Sequence, residues 1–202
     1  MNDYELPPGE KWRRFELSAL GFRDFAGTNA DHPLDPFQLA RFANLLVVSF
    51  DQLRSLPPET REHLLGPAAE KWSGGACSQP LPDGRRIVIL NPTHGRMRTN
   101  ATLMEEVSHV FLGHRPSRLK VVAQTENGET VSREYRKTDE EAAYATGAAA
   151  LVPFSALRRQ VHAGRTSEQI AKRFRVSREL VEYRLKVTRL WRAYRAAHSS
   201  GA

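Results

Sequence analysis

The stretch Ala101–His114, ATLMEEVSHVFLGH, decides how the rest of the chain is read. Wound as an α-helix at about 100° per residue, it gathers Thr102, Glu105, Glu106, His109 and Gly113 into one sector roughly 100° wide. Leu103, Met104, Val107, Val110 and Phe111 fill the opposite side. Two carboxylates and an imidazole on an otherwise apolar helix are costly to bury unless a partner compensates them. A divalent metal ion is the partner this pattern suggests.

Glu105-Glu106-x-x-His109 is one residue away from His-Glu-x-x-His, the helical zinc motif of metallopeptidases. In that motif two ligands four residues apart project from one face toward one ion, and the residue after the first ligand is the general base. The corresponding positions are Glu105 and His109 as ligands and Glu106 as base. A carboxylate can replace an imidazole at zinc, but it adds negative charge and makes the ion less electrophilic. The spacing alone is a weak signal, since Glu-Glu-x-x-His also occurs by chance on solvated helix faces.

A third ligand has to come from elsewhere. The acidic turn Asp139-Glu140-Glu141 is its natural source, because it opens the next helix, TDEEAAYATGAAALVP, capped at Thr138 and ended by Pro153. The alanines and Gly147 of that helix predict close packing against another helix. His94, in the loop before the motif, is an additional candidate. So is His114, which points about 140° away from His109 on a continuous helix and serves only if the helix ends first.

Around these two helices the pattern predicts further elements. Glu10 to Phe25 is helical, with Trp12, Phe15, Ala19 and Phe22 on one face. A helix capped by Asp35 runs through LDPFQLARFANLL, burying Leu39, Phe42, Ala43 and Leu46. Val47–Phe50 is extended, and PPETREHLLG is a short helix closed by Gly66. Strands are expected around Trp72 to Cys77 and in RRIVILN, separated by a turn at Pro82-Asp83-Gly84. The motif helix is expected to be capped at Thr99 or Asn100. Two β-prone runs flank Asn127-Gly128 and predict a hairpin that walls one side of the cleft. After Pro153 come FSALRRQVHAG, then a helix-turn-helix pattern with Ile170, Ala171 and Phe174 before Val176-Ser177 and Val181 and Leu185 after it. A last helix runs on through LKVTRLWRAYRAA.

Composition bounds the function classes. A chain of 202 residues with 40% hydrophobic and 26% charged residues fits one globular domain or one with an appendage. The single Cys77 excludes an internal disulfide and fits a reducing cytoplasm. No signal peptide pattern opens the sequence and no apolar run is long enough to span a membrane, so a cytoplasmic protein without a membrane partner is expected. The net charge of +7 is uneven: from Pro153 onward 12 Lys/Arg face 3 Asp/Glu, a balance of +9, and the remainder carries −2. That end of the chain points to an anionic partner, with Arg178, Arg184, Lys186 and Arg189 as its candidate contacts. The alternative is a solvated surface of arginine-rich helices.

Four segments taken together resemble the ImmA/IrrE family of bacterial and phage metallopeptidases. LPDGRRIVILNP, RMRTNATLMEEVSHVFLGH, EEAAYATGAAALVP and IAKRFRVSRELVEYRL match the order, approximate spacing and terminal proline of that family's pattern over about Trp72 to Leu185. The resemblance implies a zinc-type metallopeptidase. His109 matches the second motif histidine, Glu106 the general base, and Glu140 the third ligand. Glu141 stays as a neighbouring candidate. Two positions depart from the pattern: Glu105 stands for the first histidine and Tyr144 for an asparagine. Family members act on DNA-binding repressors in stress or mobile-element circuits, so a repressor substrate and a role in transcription regulation are implied, with Zn2+ or another divalent ion as cofactor.

The expected fold is α+β: a zincin-like active-site helix against a small β-sheet and hairpin, with a helical C-terminal subdomain. The peptidase domain would span 1–152, with its core at about 35–152, and the basic helix-turn-helix-like subdomain 153–202. A second functional reading keeps this fold without catalysis, as a regulator that binds DNA or a protein through the basic C-terminal helices. A third makes the ion purely structural.

Overall fold

A computed structural model of the chain describes residues 5–53, 56–77, 79–114 and 137–199. Helix α1 is Glu10–Phe25, α2 Pro36–Phe42, α3 Pro58–Leu65, α4 Arg96–Phe111, α5 Lys137–Leu151, α6 Phe154–His162, α7 Ser167–Phe174, α8 Arg178–Val187 and α9 Trp191–Ser199. The strands are β1 Leu45–Val48, β2 Gly74–Ala76 and β3 Arg86–Leu90. They form a sheet in the order β1-β3-β2, with β1 parallel and β2 antiparallel to β3. The fold is α+β, as the sequence predicts.

Helix α4 lies across this sheet and buries Leu103, Met104 and Val107 completely. These are the apolar side of the opening stretch, so the helical phase read from sequence is the phase the core uses. The start of α4 differs from expectation. It begins at Arg96 with Gly95 as N-cap, one turn before Thr99, and Asn100 is a buried interior residue. No glycine or proline separates Gly95 from Thr99, and Arg98 anchors the extra turn through Glu70 at 3.1 Å and the Ser73 hydroxyl.

Helix α5 packs along α4 through its small residues. Ala143 and Ala149 are fully buried, and a Cβ on Gly147 would meet the Ser108 Oγ at 3.2 Å and the Met104 carbonyl at 3.3 Å. Only glycine permits this approach without displacing the α4 backbone. Helix α1 covers the other side of α5. Its buried Arg23 donates to the carbonyls of Ala150, Asn29 and His32, tying the loop after α1 to the end of α5.

Further boundaries differ from the sequence reading. Helix α2 stops at Phe42, because Asn44 adopts a left-handed conformation (φ 53°) that turns the chain into β1. Leu45 and Leu46 are therefore strand residues paired with Arg86 and Ile87, and Phe42 is 56% exposed rather than buried. The last helix does not run on from α8: Arg189 is left-handed (φ 61°) and separates α8 from α9. The hairpin expected at Asn127-Gly128 lies outside the described residues.

The C-terminal helices share the core of the rest of the chain. Val161, Ile170, Phe174, Val181 and Leu185 belong to the same buried cluster as Val88, Leu103 and Val107. Thr166 caps α7 in a capping box with Gln169, Arg175 closes it in the left-handed region, and Ser177 caps α8. The helix-turn-helix pattern thus folds as two capped helices joined at Arg175-Val176-Ser177. Beneath them Arg184, 2% exposed, donates to the Glu16 carboxylate at 2.5 Å and to the Val152 carbonyl at 3.0 Å. The expectation that Arg184 contacts an external partner is therefore corrected. It is a core residue held by an internal carboxylate, because its position falls in the apolar phase of α8 beside Val181 and Leu185.

Candidate metal centre

Three ligand-bearing side chains converge where α4 faces the start of α5. One ligand atom each from Glu105, His109 and Glu140 lie within 4.8 Å of one another, all three residues being half-buried. The spacing of four puts Glu105 and His109 on adjacent turns of α4. Glu140 lies seven residues, about two turns, before Gly147 and so shares the face that glycine presses against α4. Close packing of two helices is what delivers the third member of the cluster. Two ligands about 2.1 Å from a tetrahedral ion stand roughly 3.4 Å apart. His109 Nε2 and Glu140 Oε2 are 3.4 Å apart, which fits that requirement.

The electrostatics of the cluster are compatible with a cation. Burial, then the neighbouring Glu106 and Glu140 carboxylates, push the Glu105 carboxyl up to about 7. Carboxylates gathered this closely and partly desolvated disfavour one another's ionised form, which either a proton or a cation relieves. The donor set, two carboxylates and one imidazole, has the chemistry of a divalent metal site, and a 2+ ion would balance the two ligating carboxylates. Glu106 lies next to Glu105 on α4 and is half-buried beside the cluster.

His114 is brought to the cluster by the way α4 ends. Gly113 is left-handed (φ 70°), its N–H bonds the Val110 carbonyl at 3.0 Å, and the His114 N–H bonds the His109 carbonyl at 2.9 Å. This Schellman arrangement reverses the chain, and His114 Nδ1 comes to 3.1 Å from His109 Nδ1. The helix thus ends before His114, which stands behind His109 rather than among the three clustered ligands. Burial and the His109 imidazole lower the His114 pKa, against Asp139 and Glu140, which raise it. His94 is not brought to the cluster. It lies at the other end of α4, whose start at Arg96 is roughly 13 Å of helix from Glu105, with its Nε2 3.4 Å from Asn91. Glu141 is also directed elsewhere, pairing with Lys11 at 2.5 Å.

The IrrE N-terminal-like domain of the Peptidase M78 family matches residues 67–186, which contain α4, α5 and the whole cluster. The chain belongs to that family. No curated protein matches it. Among solved structures, a Mycobacterium tuberculosis transcriptional regulator superposes with a TM-score of 0.52 at 15% identity, over 85% of this chain and 46% of that one. The likeness is one of fold, and this chain spans under half the length of that regulator.

Within the IrrE-like frame, two tyrosines stand beside the cluster. Tyr144, one turn after Glu140 and 38% exposed, packs its ring edge-on against Tyr183 of α8 with centroids 5.0 Å apart. Burial and the Glu105 carboxylate push the Tyr144 phenol up, and burial pushes Tyr183 up to about 12. The i+4 spacing from Glu140 was visible in sequence. Tyr183 carried no such signal, because its neighbour is set by the docking of α8 on α5.

The basic C-terminal residues divide into different environments. Arg178 is exposed and held by Glu182 at 2.7 Å and Glu168 at 3.1 Å. Lys186 and Arg189 are exposed, with Lys186 over the Trp191 ring at 5.3 Å. No described helix is long and apolar enough to cross a membrane.

Proposed function

We propose that the chain is a metal-dependent endopeptidase of the ImmA/IrrE kind. Glu105, His109 and Glu140 hold a divalent ion, zinc or another, and Glu106 is the general base. The observation that carries this reading is the approach of the three ligand atoms to within 4.8 Å across two helices. The ion, when bound, supplies Lewis-acid polarisation of a peptide carbonyl and of water. Glu106 takes the proton of the attacking water as its oxygen bonds to the carbonyl carbon, and returns it to the amine nitrogen as the C–N bond breaks. His114, 3.1 Å from the Nδ1 of His109, orients that imidazole so that Nε2 faces Glu140. Membership in the family, together with the resemblance of the C-terminal pattern, makes a DNA-binding repressor the substrate of choice in a stress or mobile-element circuit.

The test uses purified protein stripped with chelator and reloaded with Zn2+ or Mn2+. Elemental analysis should find about one ion per chain in both wild type and Glu106→Gln. Incubation with a proteome-derived peptide library, read by mass spectrometry, should give new termini with wild type and at least about 100-fold fewer with Glu106→Gln. Absence of stoichiometric metal, or the same termini from both proteins, would sink the proposal.

A second reading rests on the C-terminal surface, where Lys186, Arg189 and Arg192 are exposed and make no ion pair among the described residues. These cations would dock DNA or an acidic protein whether or not cleavage occurs. Duplex binding whose affinity falls steeply between about 50 and 200 mM salt supports it. No retention of duplex at low salt argues against it.

A further inference from the structure

A cavity of about 420 Å³ opens at the C-terminal end of α4, lined by Ala43, Asn44, Arg86, Val110, Gly113 and His114. Its volume is that of a small-ligand or side-chain subsite. It adjoins the cluster through His114, whose Nδ1 touches that of the ligand His109. Its walls are apolar at Ala43 and Val110. Phe42 and Phe111, each next in sequence to a lining residue, are 56% and 37% exposed, and Phe25 is 56% exposed. Phe25 packs on Phe42 at 4.9 Å and on Phe111 at 5.8 Å, so the three form one continuous rim.

Arg86 is the only basic group of this lining whose charge does not depend on pH near neutrality. It occupies the first position of β3 on the face that carries Val88 and Leu90, both buried. A guanidinium in that phase points with the apolar residues toward the helix layer, and Arg86 is half-buried. Its backbone N–H bonds the Asn44 carbonyl at 2.9 Å, which fixes its place in the sheet. Among the described residues its side chain has neither a carboxylate within ion-pair distance nor a carbonyl acceptor. The other buried or half-buried arginines among the described residues behave differently, Arg184 meeting Glu16, Arg23 meeting three carbonyls and Arg61 meeting those of Phe50 and Leu53. A partly desolvated cation with no acceptor among the described residues is suited to recognise an anion.

We propose that this cavity is a carboxylate subsite of the cleft, in which Arg86 holds an acidic group of the peptide while the Phe25, Phe42 and Phe111 rim covers an adjoining apolar side chain. The proposal rests on the peptidase reading for the peptide's identity. The carboxylate comes from a Glu or Asp side chain or from a chain terminus, and both present the same two oxygens to the guanidinium. Asn44, exposed at the mouth in its left-handed turn, adds a side-chain amide beside them.

Metal-stripped protein is titrated with three capped dipeptides, N-acetyl-Phe-Glu-amide, N-acetyl-Phe-Gln-amide and N-acetyl-Phe-Gln with a free terminal carboxylate. Binding is read from the arginine Nε–Hε and backbone amide NMR resonances, with no turnover involved. The carboxylate-bearing peptides should bind about three- to tenfold tighter than the neutral one, the size of one half-buried charge-assisted contact. Whichever of the two binds tighter identifies the source of the anion. Arg86→Gln should erase the difference and Arg86→Lys should keep part of it, with unchanged dispersion of the amide spectrum showing that both fold. Equal binding of all three peptides, or a preference that survives Arg86→Gln, overturns the subsite. Because no cleavage is measured, the subsite stands or falls separately from the peptidase: discrimination without library cleavage would reject catalysis and keep the pocket.

Discussion

Replacing Glu105 with glutamine should change how stability depends on pH, and the structure gives both sign and size. In the metal-free protein the Glu105 carboxyl titrates near 7, against an ordinary 4.5, because of burial and of Glu106 and Glu140 beside it. Between these values the folded chain holds a proton that the unfolded chain has released. Stability therefore falls as pH rises through the window, is unaffected by this group below about 4.5, and carries the full penalty above about 7. A shift of this size corresponds to about 3 kcal/mol. For a chain of about 200 residues that is a Tm difference of roughly 6–12 °C. Thermal unfolding followed by circular dichroism in chelator at pH 5 and pH 8 should show wild type losing this much more than Glu105→Gln.

Adding the ion should reverse the pattern. At pH 8 wild type gains stability with ion concentration, about 2.7 kcal/mol at 100 times Kd, and Glu105→Gln gains far less because one ligand is gone. Binding near pH 6.5 should release a proton, since the ligand must be ionised. Calorimetry in two buffers of different ionisation enthalpy counts it. Identical pH profiles for the two proteins, with no proton released on adding zinc or manganese, would refute the reasoning: Glu105 would then be an ordinary solvated carboxylate.

Three other substitutions test the packing around the site. Arg184→Leu leaves the Glu16 carboxylate buried without its cation and should cost about 3–5 kcal/mol in urea unfolding, while Lys186→Ala, on the surface, should cost less than about 0.5 kcal/mol. Gly147→Val places a side chain where the Ser108 Oγ is 3.2 Å and the Met104 carbonyl 3.3 Å from the Cβ. It should destabilise by about 1–3 kcal/mol and weaken metal binding, because α5 must back away and carry Glu140 with it. Unfolding curves and metal titration on the same samples check both effects together.

The helical period explains why the centre of the fold was legible. Leu103, Met104 and Val107 are buried in the phase that the sequence assigns them, and a spacing of four places Glu105 and His109 side by side. Glu140 was identified by register with the family pattern, and the packing of Gly147 shows how it arrives. What sequence could not supply were turns decided by a single dihedral. Asn44 and Arg189, both left-handed, cut helices that the apolar pattern would have continued. Gly95 caps α4 without a side-chain hydrogen bond, so nothing in the residue types marked the true start. Gly113 did mark an end, and the return of His114 onto His109 follows from the Schellman turn it permits.

The arginines show where charge counting fails and phase succeeds. Arg184 was counted with the basic surface because net charge carries no direction. Yet it stands four residues after Leu180 and three after Val181, in the buried stripe of α8. Arg86 alternates with Val88 and Leu90 on the buried face of β3. A cation in an apolar phase has to be met by an acceptor, or it marks a place where one is supplied from outside. Arg184 meets Glu16 and joins α8 to α1, a structural answer complete within the chain. Among the described residues Arg86 meets no such acceptor and lines a cavity that reaches His114 instead, and that difference is the basis of the proposed anion subsite.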